Sequence, residues 1–186
     1  MPEHINLVLS GPSGVGKNSI TEKLRDIIGA RKVVSHTTRL PRRSEIEDID
    51  YRFVSRQTFD RMIESGAFIE HMLFNGELYG VSRFVMEDEQ KVGGITICDL
   101  SCEGALAVRN AYAQTSLVFL LPPSQGATRE RLRVRGMSEA EITYRLRSDD
   151  DDVRYIKMYD LVVVNHPGRL DECCQIIVEF VRSRTG

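Results

Sequence analysis

The chain has 186 residues, one ordinary domain at roughly 100 to 200 residues each and long enough to bury a core without disulfides or metals. With 41% hydrophobic and 28% charged residues, 14 Gly and 6 Pro, it is neither disordered nor collagen-like, and a net charge of -2 removes the domain-wide basic footprint of a nucleic-acid binder. No apolar run approaches the ~18 residues of a membrane span, and Met1-Pro2-Glu3-His4 carries no signal-peptide pattern, so the expected location is cytoplasmic and no membrane partner is expected.

Along the chain, short apolar runs alternate with amphipathic stretches. Ile5 to Ser10 reads as a buried strand, and a glycine-rich loop then leads into a helix at Ser19 to Ile28. A strand is expected at Val33 to Ser35. From about Arg39 to Gly80 the alternation breaks, with strands at Asp50 to Ser55 and Ala67 to Phe74 around a helix at Gln57 to Glu64, the pattern of a small inserted lobe. Strands at Ile95 to Cys98, Leu117 to Leu121 and Leu161 to Val164 then alternate with helices at Glu103 to Tyr112, Ser124 to Val134 and Ser138 to Tyr155. Ser138 and Glu141 form a capping box. Asp149 to Asp152 read as a solvated face, with Asp150 four residues before Arg154 in the order that favours a helical ion pair. In the last helix Leu170, Cys173, Cys174, Ile177, Val178 and Val181 fall on one stripe, so those cysteines, like Cys98 and Cys102, read as reduced core thiols. His4, His36, His71 and His166 have no ligand spacing. The fold class is α/β, a parallel sheet flanked by crossover helices.

The strongest chemical signal is Gly11-Pro12-Ser13-Gly14-Val15-Gly16-Lys17-Asn18-Ser19 between the first strand and the first helix. Glycines let backbone N–H groups turn inward around a polyphosphate, the helix start adds positive potential, and Lys17 brings a full charge to the outer phosphates. Asn18 stands where a P-loop has Ser or Thr to reach Mg²⁺, so its amide oxygen is a weaker candidate metal ligand. The second signal is Ser35 to Glu45, with Arg39, Arg42 and Glu45, followed by Tyr51. Two guanidiniums and a phenol suit the capture of a phosphate monoester.

With these motifs the sequence resembles guanylate kinases: the P-loop, the run Thr37-Thr38-Arg39-x-Pro41-Arg42-x-x-Glu45, Asp50-Tyr51-x-Phe53-Val54-Ser55, Phe68-Ile69-Glu70, Tyr79-Gly80, Asp99 to Ala105, Pro122-Pro123, Arg131 to Gly136, Arg145-Leu146 and Val163-Val164-Asn165. The resemblance implies a single domain in three parts. The P-loop NTPase core, with a parallel five-stranded sheet, takes 1–34, 92–124 and 158–186; an inserted α+β lobe for the nucleoside monophosphate takes about 35–91, and a helical lid about 125–157. It implies ATP and a nucleoside monophosphate as substrates, with Mg²⁺ accompanying ATP, and leaves the oligomeric state open.

By the same resemblance, Arg39, Arg42, Tyr51 and Tyr79 clamp the acceptor phosphate while Ser35 and Glu70 read guanine. One carboxylate accepts both N1–H and N2–H₂ of guanine, and adenine offers no N1–H. Arg131, Arg135 and Arg145 act from the lid on the transferring phosphoryl group, Asn165 lies near the donor base, and Asp99 orients the metal through water. Arg129, Arg133 and Arg147 read as surface charges. The chain departs from the family at Val81, where Thr or Ser meets the guanine oxygen, and at Ser101, an Asp in the family pattern, so base recognition is expected to weaken or change. Ser44 and Asp48 replace glycines; Asp tolerates a left-handed backbone. Two alternatives stand beside guanylate kinase: ribose 1,5-bisphosphate kinase of the same superfamily, similar at Asn18 and Tyr79-Gly80-Val81, and a catalytically silent guanylate-kinase-like module binding phosphorylated ligands.

Overall fold

The structure, a computed structural model, describes residues 4–43 and 45–184, with 147–153 described by their backbone path alone. Ser44, the side chains of Asp149 to Asp152, with them the expected Asp150–Arg154 pair, and the Arg147 side chain therefore lie outside what is described.

The central sheet contains β1 (His4–Ser10), β2 (Arg31–Lys32), β7 (Gly94–Asp99), β8 (Thr115–Leu121) and β9 (Leu161–Val164), in the order β2-β7-β1-β8-β9 with every pair parallel. Parallel strands are joined by crossovers that cover both faces with helices, which is why β1 is apolar almost throughout. Its alternating residues serve two cores. Leu7 and Leu9 pack with Ile20 and Leu24 of α1 (Lys17–Ile28) and Ile177 and Val178 of α7 (Leu170–Arg182). Val8 packs on the opposite face with Val85 and Met86 of α3 (Arg83–Val92) and Ala105 and Val108 of α4 (Cys102–Ala111). All four cysteines are reduced and buried, as their positions in the pattern led one to expect.

A second, four-stranded sheet is inserted between β2 and β7: β3 (His36–Thr37), β4 (Arg52–Phe53), β5 (Phe68–Phe74) and β6 (Glu77–Ser82), in the order β4-β3-β6-β5, with α2 (Arg56–Glu64) alongside. Phe59, Phe68 and Leu78 form its own small core. The C-terminal part carries α5 (Gln125–Val134), α6 (Glu139–Asp149) and a 3₁₀ segment (Asp150–Met158) before β9. Ser138 and Glu141 make the expected reciprocal cap, with the Ser138 N–H on Glu141 at 2.9 Å and the Glu141 N–H on the Ser138 hydroxyl at 3.4 Å.

Four local expectations differ from the fold. The strand expected at Val33 to Ser35 is not formed there: β2 is Arg31–Lys32, which pair with β7, and after a last bond from the Val33 N–H to Ile97 at 2.9 Å the chain leaves for the second sheet. β4 covers only Arg52–Phe53 of the expected Asp50 to Ser55. The helix expected at Ser138 to Tyr155 changes to 3₁₀ at Asp150, within an aspartate run of poor helix propensity. β6 and α3 had no clear signal: β6 is short and contains Gly80, where a Cβ would stand 2.9 Å from the Phe68 ring, and α3 buries only Val85 and Met86. Those two residues pack in one cluster with Val8 and Cys98 of the central sheet and Val81 of the inserted one, so α3 bridges the two sheets.

Candidate active site

The phosphate-loop region takes its shape from glycine. Gly11, Gly14 and Gly16 have φ of 143°, 78° and 105°, where L side chains are strained. Space reinforces this: a Cβ would lie 2.3 Å from the Leu120 carbonyl at Gly11 and 2.6 Å from the Asn165 amide at Gly16, so the loop is pressed against the ends of β8 and β9. Lys17 folds back over it, its Nζ donating to the Gly11 carbonyl at 2.6 Å and the Pro12 carbonyl at 3.3 Å, and stands 3.9 Å from an Asp99 carboxylate oxygen. Pro12 and Val15 are buried beneath the loop, and Asn18 and Ser19 are exposed at its helical end.

Two residues expected to meet ATP hold the loop backbone. Asn165 is 5% exposed and donates its amide to the Val15 carbonyl at 2.7 Å. Arg131 donates to the same carbonyl at 3.0 Å and to the Asn165 carbonyl at 2.9 Å, so α5 and β9 grip the loop from outside. Arg135 is exposed at the end of α5. Arg145 of α6 reaches the Ser13 hydroxyl at 3.3 Å and lies over the Phe74 ring at 5.2 Å, which links α6, the glycine-rich loop and the inserted sheet. Arg129 and Arg133 pair with Glu139, as expected of surface charges.

In the inserted lobe Arg39 makes a two-pronged ion pair with Glu45, at 2.9 and 2.8 Å, and faces the rings of Tyr51 and Phe53. Glu45 and Tyr79 raise the Arg39 guanidinium above its ordinary range, and Arg39 in turn holds the Glu45 carboxyl below the usual one. Glu45 also accepts the Arg42 N–H at 2.8 Å, leaving the Arg42 side chain in solvent. The carboxylate thus organises the arginines from behind. Tyr51 meets Tyr79 edge-on at 6.0 Å, and Tyr79 meets Phe74 at 6.3 Å. Asp48 has φ of 61°, the left-handed turn its side chain was expected to tolerate.

Burial pushes the Tyr51 phenol up, and the Asp99 charge adds to it, which brings this cluster to the end of β7. Asp99 keeps 34% of its side chain open to solvent. Desolvation nevertheless raises its carboxyl, against the opposing pull of Lys17 and Lys32. Lys32, absent from the expected site, lies over the Tyr51 ring at 5.4 Å.

Glu70 on β5 is partly buried, and no donor among the described residues bonds its carboxylate. Burial, then the Glu103 charge, push its pKa up to about 7. Its cross-strand partner Val81 is 1% exposed within the core, so this position offers an apolar wall and no hydroxyl. Ser101 caps α4, accepting the Gly104 N–H at 3.1 Å, so its hydroxyl is already engaged. Ser35 is half-buried where the chain enters the second sheet, its carbonyl accepting from Arg52 at 2.8 Å. Gly104 went unnoticed in the sequence, although a glycine inside a helix is a signal of close approach. A Cβ there would lie 2.9 Å from the Glu70 carboxyl carbon.

Continuous contacts therefore run from the phosphate loop through Arg145, Phe74, Tyr79 and Tyr51 to Arg39, while Lys17 pairs with Asp99, whose charge is felt at Tyr51. A guanylate kinase family model matches residues 4–184. The chain belongs to the guanylate kinase family. Named guanylate kinases similar to it include that of Thiobacillus denitrificans, 36% identical over 178 residues (95% of this chain, 84% of the relative), and that of Nitrosomonas europaea, 38% identical over 161 residues (86% and 80%). The crystal structure of guanylate kinase from Anaplasma phagocytophilum superposes with a TM-score of 0.79 at 29% identity, covering 99% of this chain and 87% of that one.

Within the family pattern, candidate metal contacts are Asn18 and Asp99. One exposed amide and one solvent-reachable carboxylate make a sparse oxygen set, which suits Mg²⁺ held mainly by phosphate and water. Among the described residues no cluster of three His, Cys, Asp or Glu side chains offers a denser site, and no helix is long and apolar enough to cross a membrane.

Proposed function

We propose that the protein is an ATP-dependent guanylate kinase, transferring the γ-phosphoryl group of ATP to GMP or dGMP and releasing ADP with GDP or dGDP. The observation that carries this reading is the run of contacts joining the phosphate loop and Lys17 to the Arg39–Tyr51–Tyr79 cluster, with Glu70 beyond it. A donor polyphosphate and an acceptor monophosphate then meet over Asp99.

Loop amides and Lys17 bind the β and γ phosphates, Lys17 exchanging its carbonyl contacts for phosphate oxygens. Arg39, held flat by Glu45, takes the acceptor phosphate with Arg42, Tyr51 and Tyr79. Glu70 and Ser35 read the base. An acceptor phosphate oxygen attacks the γ phosphorus as the bond to the β-bridging oxygen breaks; the nucleophile is already anionic, so positioning and charge neutralisation do the catalytic work. Arg145 and Arg135 serve that neutralisation from the lid. Asn18, and Asp99 through water, would hold Mg²⁺, which would supply further charge neutralisation when bound. Asn165 and Arg131 act behind the loop. The inserted sheet and the helices at about 125–157 are the parts that close, and the reaction belongs in the cytoplasm.

The test is ADP release with GMP, dGMP, IMP, AMP, CMP, UMP and ribose 1,5-bisphosphate as acceptors. Selective turnover of GMP and dGMP is expected, and Lys17→Ala is expected to lower it by roughly 10²- to 10³-fold while the fold is kept. Turnover of ribose 1,5-bisphosphate alone would move the assignment to that kinase, and GMP binding with no turnover would leave a silent binding module.

A further inference from the structure

Glu70 is seated against one specific helix turn. The three atoms nearest to a Cβ built on Gly104 all belong to Glu70: Cδ and Oε2 at 2.9 Å and Cγ at 3.2 Å. Gly104 has no positive φ, so glycine here answers a need for space rather than for an unusual backbone. The preceding residue, Glu103, places a second carboxylate on the same helix turn. It is held in place by the Tyr155 hydroxyl at 2.6 Å.

We propose that Glu103 and Gly104 are positioning residues for base recognition: Gly104 leaves the room in which the Glu70 carboxylate sits, and Glu103 sets a second negative charge beside it, so that GMP is accepted less readily in acid than in alkali. This rests on Glu70 reading guanine. An ionised carboxylate accepts from N1–H and N2–H₂ together, whereas a protonated one presents a donor to an edge that already consists of donors. The groups facing Glu70 are the Glu103 carboxylate from α4, the Cys98 thiol from β7 and apolar Val81 from β6; Tyr155, with Arg154 over its ring, reaches Glu103 from the 3₁₀ segment. Burial and Glu103 both favour the protonated form, and the Glu70 pKa of about 7 puts the change within the working range of the enzyme.

The experiment is the pH dependence of kcat and KM for GMP, at saturating ATP, in the wild type and in Glu103→Gln, Gly104→Ala and Glu70→Gln, with Tm recorded for each. The ratio of Glu103→Gln to wild type cancels the titration of GMP itself. That ratio of KM is expected to be roughly one half to one third near pH 6 and to return to about one near pH 8.5, the size of effect for an exposed like charge. Gly104→Ala is expected to raise KM for GMP about tenfold or more with kcat and Tm little changed, since alanine is the better helix residue. A Glu103→Gln ratio that stays flat with pH overturns the role of Glu103, and an unchanged KM in Gly104→Ala overturns that of Gly104. Undiminished GMP use by Glu70→Gln would instead overturn the base-reader assignment beneath both.

Discussion

Asn165 follows β9 with its amide on the Val15 carbonyl and its own carbonyl taken by Arg131. A buried carbonyl that loses one of two donors is left under-satisfied, at about 1 to 3 kcal/mol. Asn165→Ala is therefore expected to lower Tm by roughly 2 to 4 °C or more and kcat/KM for ATP by about tenfold, through a loosened loop. The informative measurement is the preference for ATP over GTP. A positioning role leaves that preference unchanged, and a role in reading adenine collapses it. Nothing in the sequence separates these roles, because a terminal Asn beside a glycine-rich loop fits both, and only its packing against Gly16 distinguishes them.

Ser101 belongs to α4 before it belongs to any ligand. Its hydroxyl satisfies the Gly104 N–H, one of the free donors at a helix start, and the same turn seats Glu70. Ser101→Ala is expected to cost about 1 kcal/mol, seen as a Tm lower by roughly 2 to 4 °C. Ser101→Asp, an equally good cap, is expected to keep wild-type Tm while restoring the carboxylate of the family pattern; a loss as large as that of alanine would contradict the capping role. Elements with long apolar runs, such as β1, β8, β9 and α7, were legible because burial on a sheet or along one stripe writes itself into the residue order. β6 and α3 were not, since their packing rests on a glycine facing Phe68 and on two buried side chains.

For the fold as a whole, two titrating groups of the inserted sheet, buried His36 and partly buried Glu70, set opposite demands. His36 is 7% exposed beside Phe68, and burial, then Arg52, lower its pKa from 6.5 to about 4. The unfolded chain takes up this proton first, so the stability His36 brings is present above pH 6.5 and lost as pH falls toward 4. The size is up to roughly 3 kcal/mol. Glu70, raised from 4.5 to about 7, runs the other way: its contribution is present below 4.5 and lost as pH rises through 7. Between 4.5 and 6.5 the two oppose each other. His36→Leu is expected to lose less Tm than the wild type on going from about pH 7.5 to about pH 4.5, and equal losses would rule out a neutral buried His36.

Residue order alone carried the α/β class, the phosphate loop, the inserted lobe and the family, because those depend on apolar periodicity and on side-chain types at short spacing. The tertiary structure decided what each polar group faces. It turned Arg131 and Asn165 onto the loop backbone, put Glu45 behind Arg39, enclosed Val81, gave Ser101 to a helix cap and brought Gly104 against Glu70. Such contacts join residues up to 150 positions apart in the chain, and partners at that separation are chosen only when the sheets and helices pack.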